Sequence, residues 1–214
     1  MQSKSPHRAL IVHGSYETPD SYWLPWLRDR LEADSIVTVA PHFPTPEGQS
    51  LEAWRQIFDD QVGEVGEGWM LFAHSLGVPF LLDIVERSHS VVDGLFSVSG
   101  FTGLLDQELF DSVNRTFVDR TFDWDLIDRS IQRSFVYQGD DDPYVPQKWG
   151  AYLTEKLNAD RRVIPAGGHL NSAAAQDDLE ILWSDVRSIR DLSGHRFGPM
   201  AATTRGDQGT HRGM

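Results

Sequence analysis

Six short runs of apolar, β-branched and aromatic residues punctuate the chain: Arg8 to Gly14, Ser35 to Ala40, Trp69 to His74, Val92 to Gly100, Ser134 to Gly139 and Arg161 to Gly168. Each ends in Gly, Pro, Ser or His, and this composition predicts strands. Several carry apolar residues in succession without alternation, as strands covered on both faces do. Between them the apolar period lengthens to that of a helix. Trp23, Leu24, Leu27 and Leu31 recur at helical spacing, with Pro25 in the first turn. Leu51, Trp54, Ile57, Phe58 and Val62 form a second apolar face behind a capping Ser50. Trp149, Tyr152, Leu153 and Leu157, then Leu179, Leu182, Val186 and Ile189, repeat the pattern. Strand and helix in strict alternation predict an α/β fold, an open and mostly parallel sheet of about six strands with helices on both faces.

Two stretches interrupt the rhythm. Residues 101–133 form a polar insertion with scattered Phe and Leu after the fourth strand, which predicts a small cap over the strand ends. From Ser193 to residue 214 the chain is Gly-rich and aperiodic, which predicts a disordered tail. Residues 1–192 are therefore expected to form a single domain, a size that one core suffices to stabilise.

Composition narrows the function. The 19 Lys and Arg against 32 Asp and Glu give a net charge of −13, which repels phosphate backbones and anionic membranes, so neither nucleic acid nor membrane is an expected partner. The first apolar run, Ala9 to Val12, is too short for an export signal or a membrane span. Zero cysteines leave no disulfide framework and no thiolate nucleophile, in keeping with a cytoplasmic location. The histidines lack zinc-site spacing and neither dinucleotide nor P-loop glycine pattern is present, so no metal and no cofactor are expected.

The chemistry is suggested at "AHSLG", residues 73–77, where a serine stands between a predicted strand and a predicted helix with small residues two before and two after it. That is the form of a nucleophile elbow, in which strand and helix backbones pass closely beneath a strained serine. Ser75 in isolation is equally a helix cap. A nucleophilic serine also needs a histidine base and a carboxylate to orient it. "GDDDPYVP" places Asp142 after the fifth strand, with Asp141 beside it, and "GGHLN" places His169 after the sixth. Turn residues unrelated to one another have no reason to follow successive strands in this order. An oxyanion hole would take the Leu76 N–H and a second amide from the "HGSY" turn, Ser15 or Tyr16. His13 and His74 are read as structural, and Trp23, Tyr144 and Phe101 as candidate pocket residues.

Taken together, "ALIVHG", "AHSLG", "GDDDPYVP" and "GGHLN" resemble the α/β-hydrolase superfamily, and the length and the "YWLPWLRDRLE" helix resemble the small serine hydrolases of the retinoblastoma-binding protein 9 type. Ala73 stands where that pattern more often has Gly. The resemblance spans residues 8–190 and implies an intracellular serine hydrolase with nucleophile Ser75, acid Asp142 and base His169. The expected activity is cleavage of small carboxylic esters, or of amides or thioesters, through an acyl-enzyme, with a small acyl compound as the partner. The alternative is a protein-interaction module that keeps the fold without the catalysis.

Overall fold

The computed structural model describes residues 7–172 and 175–195. Its strands, β1 (Arg8–Val12), β2 (Val37–Val39), β3 (Trp69–His74), β4 (Gly94–Val98), β5 (Ser134–Gly139) and β6 (Asp160–Ile164), pair side by side in the order β2-β1-β3-β4-β5-β6, every pairing parallel. The helices are α1 (Leu24–Ala33), α2 (Leu51–Gln61), α3 (Gly77–Ser88), α4 (Glu108–Val118), α5 (Trp124–Arg129), α6 (Gln147–Lys156), α7 (Ala175–Asp178) and α8 (Glu180–His195). This is the expected open parallel α/β sheet. The outer strands are shorter than the apolar runs suggest, because β2 has a single neighbour, β1, and so loses ladder bonds early. The fourth run stops at Val98, where Ser99 turns the chain at φ 50°.

Because strand side chains alternate, the sheet feeds two cores. Ala9, Ile11, Phe72, Phe96 and Tyr137 pack under Trp23, Leu27 and Leu31 of the α1 region and Leu182, Val186 and Ile189 of α8. Leu10, Val12, Leu71, Ala73 and Val136 pack under Trp54 and Phe58 of α2, Phe80 of α3 and Leu153 of α6. Each buried Leu or Phe contributes roughly 1.5–3 kcal/mol relative to exposure. The parallel strands thus all end at one edge with both faces closed, and the loops at that edge are free to carry side chains for chemistry. Pro25 lies in the first turn of α1, and the Ser50 side chain caps α2 by accepting the Ala53 N–H at 3.2 Å.

Residues 101–133 contribute α4 and α5. Phe117, Phe122 and Ile127 seat this segment in the second core, and Arg120 bridges Asp83 and Glu86 of α3. The last helix runs through His195, two residues past the predicted start of a tail at Ser193; its backbone hydrogen bonding carries on where apolar periodicity ends. The rest of that tail, 196–214, lies outside the described residues.

Candidate active site

Ser75 occupies a tight turn between β3 and α3 with φ 52°, the left-handed region that non-glycine residues enter at a cost. Its backbone N–H donates to Val98 O at 2.9 Å, which holds the turn to the end of β4. The first turn of α3 then crosses β1 so closely that a Cβ on Gly77 would meet Val12 O at 2.8 Å and His13 O at 2.9 Å. Glycine two residues after Ser75 is a steric requirement here.

Two further loops converge on this turn. Behind β5, Asp142 Oδ1 accepts the Tyr144 and Val145 N–H groups, each at 2.9 Å, a local turn that aims the carboxylate across to the loop after β6. The three aspartates are divided among that loop: Asp140 accepts the Ala166 N–H, Asp141 accepts the Gly168 N–H at 2.7 Å, and Asp142 Oδ2 accepts His169 Nδ1–H at 2.9 Å. A Cβ on Gly139 would lie 2.2 Å from Gly168 O, so the approach of the two loops also depends on glycine. His169 Nε2 accepts the Ser75 hydroxyl at 3.1 Å. The structure therefore brings Ser75, His169 and Asp142 into one hydrogen-bonded line. The Asp142 side chain is fully shielded and that of His169 is 7 % exposed. Burial lowers the His169 pKa below the ordinary histidine value; the Asp142 hydrogen bond opposes this and the charge of His74 adds to it.

A second chain of contacts lies behind His169. His74 is fully buried; its Nδ1–H donates to Glu17 at 2.7 Å and its Nε2–H to the His169 carbonyl at 2.9 Å, an oxygen that also accepts the Ser99 hydroxyl at 3.0 Å. Both partners of His74 accept protons, so both ring nitrogens donate and the ring is an imidazolium. Burial alone would push the His74 pKa down, but the charge and hydrogen bond of Glu17 raise it. Burial likewise pushes Glu17 up, and His74 together with the Gly14 N–H brings it below its ordinary value. His74 reads from the sequence as structural, and Glu17 carries no signal there; in the sequence nothing separates it from Asp20, whose side chain is 75 % exposed. His13 is structural as expected: Nδ1–H donates to Gly14 O and Nε2 accepts the Phe43 N–H.

The turn after β1 faces Ser75. Its Gly14 N–H donates to Glu17 Oε2 and its Tyr16 N–H to Thr45 Oγ1, each at 2.7 Å. Tyr16 is thereby removed as a backbone donor. Among the described residues, the N–H groups of Ser15 and Leu76 donate to no protein acceptor. Leu76 is buried and Ser15 partly so, and unpaired amides are uncommon in such surroundings.

A cavity of about 280 Å³ opens at this point, lined by Ser15, Glu17, Ser75 and His169 from the sheet edge, by Tyr144 and Val145, and by Leu105, Phe110 and Asn114 of the cap segment. Tyr144 lines it, and its ring packs edge-on to His169 at 5.2 Å. Trp23 and Phe101 do not. Trp23 is fully buried in the core under α1, where its ring meets His74 edge-on at 6.1 Å. Phe101 is 1 % exposed in the opposite core. Proximity of an aromatic residue to a strand end does not tell which layer receives its ring. Among the described residues no group of three or more His, Cys, Asp or Glu is placed to hold a metal ion, and no helix is long and apolar enough to cross a membrane.

Comparison with known proteins places the chain in a family. The serine hydrolase family model matches residues 9–187. The chain belongs to the serine hydrolase family. The YdeN protein of Bacillus subtilis is 28 % identical over 184 residues, covering 85 % of this chain and 95 % of its own length. The rat serine hydrolase RBBP9 is 22 % identical over 183 residues, 84 % of this chain and 96 % of RBBP9. The crystal structure of the B. subtilis ydeN product superposes on this serine hydrolase with TM-score 0.78 at 27 % identity, over 86 % of this chain and 99 % of that one. Est1E of Butyrivibrio proteoclasticus shares the fold, with TM-score 0.68 at 13 % identity over 89 % and 90 % of the two chains. The small α/β-hydrolase resemblance of the sequence is thus shown, and the protein is an enzyme of the hydrolase class.

Proposed function

We propose that this serine hydrolase cleaves small carboxylic esters through an acyl-enzyme, with Ser75 as nucleophile, His169 as base and Asp142 as its orienting carboxylate. The observation that carries the reading is the line Asp142 Oδ2 to His169 Nδ1 and His169 Nε2 to Ser75 Oγ, at 2.9 and 3.1 Å, beside two open amides. Neutral His169 takes the Ser75 proton as Oγ bonds to the ester carbonyl carbon. The carbonyl oxygen becomes an oxyanion facing the Leu76 and Ser15 N–H groups, an interaction worth about 3–4 kcal/mol per donor in comparable sites. Collapse returns the proton to the leaving alcohol and leaves acyl-Ser75. Water, deprotonated by the same His169, attacks the acyl carbon; the acid departs and Ser75 regains its proton. The imidazolium formed twice in this cycle is stabilised by the Asp142 carboxylate.

The His74–Glu17 pair holds the His169 carbonyl from behind and ties it to the Gly14 amide, so base and oxyanion turn are braced by one buried ion pair. The small cavity suits a small acyl compound as substrate. The test is labelling of the purified protein with a fluorophosphonate probe, with Ser75→Ala as control and peptide mapping of the adduct. An adduct on Ser75 that disappears in the control supports an activated nucleophile; folded protein that resists the probe refutes the proposal.

A further inference from the structure

Asn114 belongs to α4, in the cap segment, and lines the cavity although only 2 % of its surface is exposed. Its Oδ1 accepts the Ser15 hydroxyl at 2.7 Å and Gln49 Nε2–H at 2.9 Å. The orientation of this amide follows from its neighbours. Gln49 Nε2 also donates to Val113 O at 3.0 Å and Gln49 Oε1 accepts the Thr45 hydroxyl, so the Gln49 atom facing Asn114 is a nitrogen and the Asn114 atom facing it is an oxygen. Asn114 Nδ2 is left over. It donates to no protein acceptor among the described residues, and it is not sealed from solvent as the ring N–H groups of Trp23 and Trp149 are. A buried carboxamide with its oxygen committed and its N–H₂ open to a cavity is a donor held ready for an acceptor on a ligand.

Resting on the ester hydrolase reading above, we propose that Asn114 is a specificity-determining residue that selects acyl groups bearing an uncharged oxygen acceptor close to the scissile carbonyl: short ether-, hydroxy- or oxo-substituted acyl esters. The acceptor is close to the carbonyl because Asn114 grips the side chain of Ser15, whose open amide faces the oxyanion. It is uncharged because no Lys or Arg lines the cavity while the Glu17 carboxylate does. The acyl group is short because the cavity is about 280 Å³, at the small end for ligand pockets. The other lining residues of segment 101–133, Leu105, Leu109 and Phe110, are apolar, so the Asn114 N–H₂ is that segment's polar donor, while Tyr16, Tyr22, Tyr144 and Asn171 bring the polar atoms of the other walls.

Two matched pairs of p-nitrophenyl esters test this on the full chain: methoxyacetate against butanoate and 3-methoxypropanoate against pentanoate, each pair differing by an ether oxygen in place of a methylene. Each kcat/KM is divided by the hydroxide-catalysed rate of the same ester to remove intrinsic reactivity. The protein should prefer the ether acyl group of at least one pair by roughly three- to tenfold, the value of one neutral hydrogen bond. Asn114→Asp keeps an oxygen toward Ser15 and Gln49 but replaces the donor by an acceptor, and should bring that ratio to one or below. A ratio of one in both pairs for the unmodified protein, a ratio that survives Asn114→Asp, or an equal fall on both esters of a pair overturns the proposal; the last makes Asn114 a support for Ser15 alone. Failure to cleave any of the four esters while Ser75 still labels overturns the substrate class only. Failure to label overturns the hydrolase reading beneath it as well.

Discussion

Asp83 and Asp142 are both carboxylates shut away from solvent, with side chains 1 % and 0 % exposed, yet their surroundings differ in kind. Asp83, on α3, is gripped by the Arg55 guanidinium through Nε and Nη2 and by Arg120 from the cap segment. Every neighbour is a full charge, and the cluster staples α2, α3 and the cap together. Asp142 is held by two backbone N–H groups and a histidine that leads on to a hydroxyl at the edge of a cavity. The Asp83 cluster is saturated; the Asp142 cluster stands beside two open amides, a serine at positive φ and an open carboxamide. Buried charge therefore does not by itself mark a site. Unmet hydrogen-bonding capacity beside a cavity does.

Substitutions that separate stability from turnover sharpen this contrast. The largest effect is expected from Ser75→Ala, which should lower ester hydrolysis by at least about 10⁴-fold with the thermal unfolding midpoint nearly unchanged, measured on p-nitrophenyl butanoate alongside a melting curve. Next, Asp142→Ala should reduce kcat by about 10³- to 10⁴-fold, because His169 loses the group that fixes its tautomer. Asp141→Ala removes only the Gly168 N–H acceptor, a solvent-exposed contact away from the His169 ring, and should cost about tenfold or less. Equal losses from the two neighbours would break the assignment.

Asp83→Ala should do the reverse: destabilise by about 3–5 kcal/mol in urea unfolding, since Arg55 and Arg120 are left without their shared partner, while kcat per folded molecule changes little. A large loss of turnover in this variant at full folding would show that the staple also shapes the cavity. The smallest effect is in the pH profile. Because burial lowers the His169 pKa, kcat/KM should rise with pH as His169 deprotonates, with its inflection below the ordinary histidine value of about 6.5. An inflection above that value would contradict the environment described.

The Glu17–His74 pair adds a stability term of opposite sign at each end of the pH scale. Glu17 is lowered when folded, so its contribution is present above the unfolded carboxylate pKa and fades as acid protonates it. His74 is raised, so its contribution is complete below the unfolded histidine pKa and is lost as pH climbs through the folded value. Both are fully present only between the two unfolded values, and Glu17→Gln should lower the unfolding free energy most within that range.

Ser75, Asp142 and His169 were legible along the chain because each follows a strand and each turn carries its own local chemistry: small residues around Ser75, an Asp-Pro turn, a Gly-Gly before the histidine. Glu17, Asn114 and Gln49 were not, because their roles arise from partners 57, 99 and 65 residues away. Trp23 and Phe101 were misplaced for the same reason, since an aromatic residue near a strand end belongs to a core or to a pocket according to which helix covers it.

The sequence by itself determined the alternation of strands and helices, and with it the parallel sheet whose ends all lie at one edge, because periodicity and turn residues act over a few positions. It also determined which loops hold the serine, the aspartates and the histidine. Only the tertiary structure decided which of the adjacent aspartates faces His169, which amide of the turn after β1 stays open, and what the cap segment presents to the cavity. Those outcomes depend on distances of a few tenths of an ångström between segments far apart in the chain, which close packing of two cores sets and no local pattern encodes.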